Sequence, residues 1–143
     1  MSENLVAKAS VTIDATRAET WRALVDSATV EKYMFGAKIA SDWREGSPIT
    51  WSGEWQGRRY EDKGTVLEAR PERRLRYTHY SALSGLPDVP ESYHTVTIEL
   101  SGGGPTTQVT LTQDGCPTEQ ARKEYEKNWA AMLASLKKVV EGG

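Results

Sequence analysis

The sequence predicts an α+β fold in which one antiparallel sheet is covered by a long C-terminal helix. Residues 5–13 alternate apolar and polar side chains, as a strand with one buried face does. Turn signals divide residues 37–113 into six further segments of strand length. Residues 118–140 instead carry apolar side chains at helical spacing. Short hairpin turns between strands favour an antiparallel sheet, and the long helix is the element able to cover its apolar face.

Two short helices are predicted between the first strand and the rest of the sheet. Thr16 follows that strand and can cap a helix in which Trp21 and Leu24 recur at helical spacing. A second short helical segment is predicted over residues 29–34, and Gly36 ends it. The C-terminal helix is predicted to begin after Thr118 and to run for about 23 residues, or about 35 Å at 1.5 Å per residue.

The length and charge of the chain limit its organisation and its partners. Its 143 residues suit a single domain, 1–143. Eighteen basic and 20 acidic residues give a formal charge of -2, which argues against a nucleic-acid partner. No apolar run approaches the roughly 20 residues that span a bilayer, and the first residues lack the pattern of a signal peptide. We therefore expect a cytoplasmic protein that does not insert into membranes.

Cysteine and histidine usage argues against a metal or another cofactor. Cys116 is the single cysteine, which excludes an internal disulfide and a cysteine-cluster metal site and fits a reducing compartment. The two histidines and a nearby carboxylate lack the close spacing of a metal motif. The glycines at 102–104 are not followed by a helix, so they indicate a hairpin loop and not a phosphate loop. The sequence predicts no cofactor.

Turn positions predict which residues face each other across the sheet. The predicted pairs are Trp51 with Asp62, Val66 with Tyr77, and His94 with Gln113. This register collects large apolar side chains on one face and threonines and charged residues on the other, so a slip of one residue would reverse the pattern. Gly53 and Gly64 would let the sheet bend.

Several polar residues fall on the apolar face in this register. They are Ser41, Tyr60, Asp62, His79, His94 and Gln113. A sealed core would cost a few kcal/mol for each group left without a partner. These residues therefore either lie near the ends of the sheet in contact with water or line a cavity between the sheet and the helix, and apolar walls with a few polar groups are typical of a small-molecule site.

Three phrases of the sequence are similar to a known family. They are residues 15–24 (ATRAETWRAL), 64–75 (GTVLEARPERRL) and 128–137 (NWAAMLASLK). Through them the chain resembles the SRPBCC (START-like) superfamily, in the branch of homologues of the activator of the heat-shock-protein ATPase. The resemblance implies a helix-grip fold, with a curved seven-stranded antiparallel sheet wrapped around the long C-terminal helix, and a hydrophobic cavity. It implies no catalytic residue, because the superfamily shares no catalytic motif.

These observations predict a protein that binds a small apolar or aromatic molecule between the sheet and the C-terminal helix. The candidate ligand-binding residues are Trp51, Trp55, Tyr60, Asp62, Tyr77, His79, His94, Trp129, Met132 and Leu133. An alternative is a cyclase, dehydratase or hydrolase that uses His79 or His94 as acid or base. A third is an interaction module that contacts a chaperone. The chain could be a monomer or a homodimer.

Each polar candidate also has a purely structural explanation. His94 could be hydrogen-bonded to Gln113 near the rim of the sheet. Asp62 could orient an imidazole, as a carboxylate does beside a base, or it could pair with Arg58 or Lys63 at the hairpin end. Arg73, Arg74 and Arg76 form a local basic patch. The patch could be a solvated turn or an anion-binding site.

Overall fold

The protein has seven strands and three helices in the residues described by a computed structural model, which are 5–34, 36–55, 57–81 and 85–142. The strands are β1 Leu5–Ile13, β2 Lys38–Ser41, β3 Pro48–Trp55, β4 Arg58–Arg70, β5 Arg74–His79, β6 His94–Ser101 and β7 Thr107–Cys116. The helices are α1 Arg17–Val25, α2 Ser27–Tyr33 and α3 Glu119–Gly142. A 3₁₀ turn, Pro90–Ser92, precedes β6.

The strands form one open antiparallel sheet in the order β1-β7-β6-β5-β4-β3-β2. With the two short helices after β1 and the long helix at the end, this confirms the predicted α+β helix-grip fold. The predicted pairs of Trp51 with Asp62 and Val66 with Tyr77 are both present. Beyond Val66 a bulge shifts the register of β4 against β5, so that Arg70 pairs with Arg74.

The register predicted for β6 and β7 is wrong by two residues. Gln113 lies opposite Val96, and not opposite His94 as predicted. Ser101 pairs with Gln108, so the connecting loop is longer than predicted; it contains Pro105, which has no N–H to donate to the ladder. A shift of two residues keeps every side chain on its own face, which is why the predicted set of buried residues is unaffected.

Side-chain caps fix where the helices begin. Thr16 and Glu19 form a capping box at α1. The carboxylate of Asp26 accepts from the backbone N–H of Thr29 at 3.1 Å, so α2 begins at Ser27, two residues earlier than predicted. At α3 the hydroxyl of Thr118 accepts from the N–H of Ala121 at 3.0 Å, which confirms the predicted cap.

Helix α3 runs beside the edge strand β1 and buries one face against the sheet. The carboxylate of Glu126 accepts from the N–H of Lys8 at 2.9 Å, and that of Glu141 accepts from the N–H of Asp14 at 2.6 Å. These contacts cover backbone donors that an edge strand would otherwise expose. The buried residues of α3 are Met132, Leu133 and Leu136. Within the described ranges, none of the helices has the length and hydropathy of a membrane span.

Candidate functional site

A pocket of about 120 Å³ lies where three strands, α3 and the segment after α2 meet. Its lining residues are Met34, Ala37, Trp51, Tyr60, Asp62, Tyr77, His79 and Trp129. Most of the wall is aromatic or aliphatic, and the polar side chains come from two neighbouring strands, β4 and β5. The pocket is therefore an apolar space with one polar side, which is the usual composition of a small-molecule site.

The polar side of the pocket is a hydrogen-bonded pair, His79 and Asp62. Nε2 of His79 lies 2.8 Å from Oδ2 of Asp62, and the two side chains are 31% and 14% exposed. An ionised carboxylate can only accept, so Nε2 carries the proton of this bond. In the neutral ring Nδ1 is then an acceptor, and within the described residues it has no hydrogen-bond partner. The geometry matches that of a base held by a carboxylate.

Asp62 has a second feature, an unpartnered oxygen. Oδ1 is buried and has no hydrogen-bond partner among the described residues. The structure also decides between the explanations that the sequence left open, because Lys63 turns away from Asp62 to contact Asp88 at 2.5 Å. A buried carboxylate oxygen without a donor is destabilising. Oδ1 of Asp62 is therefore an unsatisfied acceptor that is closed off from solvent.

Gly64 allows Asp62 and His79 to come within hydrogen-bonding distance. Lys63 bridges Tyr80, which places Asp62 diagonally across from His79 on the adjacent strand. A Cβ atom at residue 64 would lie 1.7 Å from the carbonyl oxygen of Thr78. No side chain fits between the strands at this position, so glycine permits the close approach of β4 and β5.

Aromatic rings surround the pair. Trp51 packs edge-on against His79, with ring centroids 5.0 Å apart, and tilts against Tyr77 at 5.2 Å. Burial raises the pKa of Tyr77 above the ordinary phenol value, so its hydroxyl stays protonated. Burial, and then the charge of Asp62, raises the pKa of Tyr60. The pocket thus has neutral phenols beside one carboxylate.

Tyr60 also separates the pocket from a larger open groove. The groove has a volume of about 770 Å³ and is lined by residues of β2, β3 and β4 together with Gly36. A Cβ atom at Gly53 would lie 3.0 Å from the hydroxyl oxygen of Tyr60, so glycine at this position leaves room for the ring. Tyr60 is thus a wall of both spaces.

Six of the ten predicted ligand-binding residues line the pocket, and three of the others lie elsewhere. His94 pairs with His79 across β5 and β6 but does not line the pocket. The centroid of its ring lies 5.9 Å from that of Tyr125. Met132 and Leu133 belong to the packed core. The side chain of Trp55 lies outside the described part of the structure. The predicted set omitted Met34 and Ala37, for which the only signal was their place at the end of α2.

His94 has a different environment from the one the sequence suggested. Its Nδ1 lies 3.2 Å from the carbonyl oxygen of Asp114, and not beside Gln113. Burial is the main reason that the pKa of His94 is lowered, and the neighbouring His79 lowers it further. Gln113 instead accepts from the indole N–H of Trp129 at 2.6 Å, which fixes one wall of the pocket.

In the part of the chain that the structure describes, no group of three or more histidine, cysteine, aspartate or glutamate side chains is arranged to hold a metal ion. His79 and Asp62 supply two candidate ligands, fewer than the three protein ligands usual in catalytic zinc sites. The functional groups of the pocket are therefore its hydrogen-bonding side chains and its aromatic walls.

Comparison with known proteins gives a family match and several structural neighbours. The family model described as activator of Hsp90 ATPase homolog 1-like protein matches residues 14–141. No curated protein matches the chain. The solution structure of ChR145 from Cytophaga hutchinsonii is 46% identical, with a TM-score of 0.87 over 99% of this chain and 97% of that one.

Two more distant structures share the fold. The Aha1 dimer from Colwellia psychrerythraea is 19% identical, with a TM-score of 0.73 over 96% of both chains. DynU16, a protein in the dynemicin biosynthetic locus, is 20% identical, with a TM-score of 0.77 over 95% of this chain and 47% of its own. At these identities the likeness concerns the fold alone.

Proposed function

The chain belongs to the activator of Hsp90 ATPase homolog 1-like family, and we propose that it binds a small aromatic molecule that carries a hydroxyl group. The family match confirms the resemblance expected from the sequence. The observation that carries the proposal is the pocket beside His79, where aromatic walls surround a single polar pair. This composition favours a ligand that is mostly apolar and that is oriented by one or two hydrogen bonds.

The size of the pocket limits the ligand to about one ring. Drug-sized ligands usually occupy about 300–1,000 Å³, whereas this pocket measures about 120 Å³. An engineered apolar cavity of about 150 Å³ binds benzene. A larger ligand would have to displace the Tyr60 ring, which lines both the pocket and the adjoining groove. It would then extend into that groove.

The polar side of the pocket favours a ligand that donates a hydrogen bond. With Nε2 donating to Asp62, neutral His79 offers Nδ1 as an acceptor. A phenolic or enolic O–H complements this group. An anionic ligand would instead be repelled by the charge of Asp62.

A second candidate function is acid–base catalysis at His79. Its specific support is the 2.8 Å hydrogen bond to Asp62, which would hold the imidazole in one tautomer and stabilise the imidazolium formed when His79 takes a proton from a bound ligand. The occurrence of one structural neighbour in a biosynthetic locus is compatible with this role. The reaction class would be that of a cyclase, dehydratase or hydrolase.

Ligand binding can be tested with two probes that differ in one group, phenol and toluene. We expect phenol to raise the melting temperature and to perturb tryptophan fluorescence, because the ring contacts Trp51 or Trp129. Toluene has the same size but no O–H, so we expect it to bind about tenfold more weakly, as loss of a hydrogen bond to a charged group predicts.

A pair of alanine variants supplies the matched control. Ala37 is buried and lines the pocket, so Ala37→Leu fills the space and should abolish the phenol effect. Ala40 is exposed on the neighbouring β2, so Ala40→Leu should leave phenol binding unchanged. A response to phenol that survives Ala37→Leu, or no saturable response in the unmodified protein, would overturn the proposed binding site.

Catalysis is separated from binding by the His79→Gln variant. If the protein is only a binding protein, this variant weakens phenol binding and nothing else changes. If His79 is an acid–base group, a substrate found by screening phenolic esters and β-hydroxy ketones will still bind to His79→Gln, but its turnover will fall by about 10²–10⁴-fold. Equal turnover by both forms would exclude the catalytic role.

A further inference from the structure

Four arginines, three from the β4–β5 turn and its flanks and one from α1, border one surface cleft. The cleft has a volume of about 360 Å³ and is lined by Arg17, Arg70, Arg73, Arg74, Glu99, Leu100, Ser101 and Gly102; we call it the arginine cleft. Arg17 is the first residue of α1, and the other three arginines flank the turn between β4 and β5. Two of the arginines in the basic patch noted in the sequence are here, while Arg76 does not line the cleft.

The acidic residues near the cleft do not neutralise it. Glu68 contacts Nε of Arg70 at 2.6 Å and Nη1 of Arg74 at 3.5 Å, and Glu99 contacts Nη2 of Arg74 at 3.3 Å. Within the ranges that the structure describes, Arg17 and Arg73 make no ion pair. Four guanidinium groups against two carboxylates leave the cleft cationic, although the whole chain has a formal charge of -2.

The backbone of the β4–β5 turn, which carries these arginines, is held by hydrogen bonds. The N–H of Arg73 donates to the carbonyl oxygen of Arg70 at 2.9 Å, and the carbonyl of Arg73 accepts from the N–H of Leu100 at 2.8 Å. The β4–β5 turn is therefore joined to the end of β6. A fixed backbone lowers the entropic cost of ordering the guanidinium groups around a ligand.

The positive groups at the cleft are guanidinium groups, and this favours a phosphate as the bound anion. The chain has ten arginines and eight lysines; the cleft contains four of the arginines and none of the lysines. A guanidinium presents a planar fork of donors that matches the oxygens of a phosphate, whereas an ammonium acts as a point charge.

We propose that the arginine cleft is a second ligand site, which binds the phosphate group of a small phosphorylated molecule. It is distinct from the aromatic pocket, because Arg74 begins β5 and His79 ends it, about 17 Å apart at 3.4 Å per residue. Its volume lies within the range of small-molecule sites. An acidic polypeptide would need a larger surface, of roughly 800 Å² on each partner.

The test is calorimetric titration of the full chain with inorganic pyrophosphate in low-salt buffer. We expect saturable binding that weakens as salt is added. The double variant Arg17→Gln/Arg73→Gln removes the two arginines without ion pairs and should weaken binding about tenfold or more. The control Arg44→Gln/Arg58→Gln removes the same charge from exposed positions elsewhere and should change the affinity by less than about twofold.

A third variant tests the chemistry of the guanidinium group. Arg73→Lys keeps the charge but loses the fork, so we expect its affinity for pyrophosphate to lie between those of the unmodified protein and the double variant. Melting temperatures establish that each variant is folded. Absence of saturable binding, or equal losses in the cleft variant and its control, would overturn the proposal. So would tighter binding of a polyglutamate peptide than of pyrophosphate, which would indicate an acidic protein partner.

Discussion

The imidazole of His79 and the carboxylate of Asp62 share a 2.8 Å hydrogen bond across neighbouring strands, at the polar side of an otherwise aromatic pocket. The bond joins Nε2 to Oδ2 and leaves Nδ1 and Oδ1 without partners among the described residues. Trp51 packs edge-on against the same imidazole. The pocket therefore has one polar pair beside an aromatic wall.

The first prediction concerns the tautomer of His79. Because Asp62 accepts from Nε2, the neutral imidazole should carry its proton on Nε2, and long-range ¹H–¹⁵N correlation spectra report this directly. In Asp62→Leu the acceptor is absent, so we expect the Nε2–H preference to weaken. The chain has two histidines, and the His94→Gln variant assigns their signals. A neutral His79 protonated on Nδ1 in the unmodified protein would contradict the hydrogen-bonding scheme.

The second prediction concerns Gly64. In Gly64→Ala the new Cβ would lie 1.7 Å from the carbonyl oxygen of Thr78, so β4 and β5 must separate. We expect a loss of about 2–3 kcal/mol in the free energy of unfolding, as for other overpacked sites, together with weaker phenol binding. Gly103→Ala is the control, because a Cβ at that position meets nothing within 4 Å. Urea denaturation that shows equal stability for the two variants would refute this explanation.

Short turns made the β3–β4 side of the pocket predictable from the sequence. A two-residue hairpin loop fixes the register of its strands, so Trp51 opposite Asp62 followed from the turn alone. The longer loop before β7 sets no such constraint, and the predicted position of Gln113 was wrong there. The burial of Met132 and Leu133 followed from helical spacing, because periodicity identifies the buried face of a helix.

The contacts of the pocket were less predictable than its strands. Helical spacing does not fix how far α3 is rotated or shifted along the sheet, so the bond from Trp129 to Gln113 could not be derived. The sequence also could not predict whether Asp62 pairs with His79 or with Lys63. In the structure Lys63 pairs with Asp88, a loop residue 25 positions after Lys63. Arg17 and the arginines of the β4–β5 turn line one cleft although they are more than 50 residues apart in the sequence, which no local pattern indicates.

The third prediction concerns the partly buried hydrogen bond between Trp129 and Gln113. Trp129→Phe removes the donor and leaves the amide oxygen of Gln113 without its partner, so we expect a loss of about 1–3 kcal/mol in the free energy of unfolding. In Gln113→Leu the indole N–H loses its acceptor. The double variant should lose less than the sum of the two, by about 1 kcal/mol, in a double-mutant cycle measured by urea denaturation. Strict additivity would show that the bond is not a coupled interaction.

The fourth prediction concerns the pH dependence of stability through His94. Burial lowers the pKa of His94 below the ordinary histidine value, and His79 lowers it further, against the opposing effect of the Asp114 carbonyl. In the unfolded chain that pKa returns to about 6.5. Between the two values the unfolded state binds the proton more readily, so acid favours unfolding.

The stabilisation from neutral His94 is therefore complete above about pH 6.5 and is lost as the pH falls from there through the lower pKa of the folded state. In His94→Gln this contribution is absent, so the free energy of unfolding should fall less steeply with acid than in the unmodified protein. Urea denaturation at several pH values compares the slopes, and NMR titration of the His94 ring gives the folded midpoint. Parallel slopes, or a midpoint at or above the ordinary value, would contradict this prediction, because burial is the largest effect that favours the neutral ring.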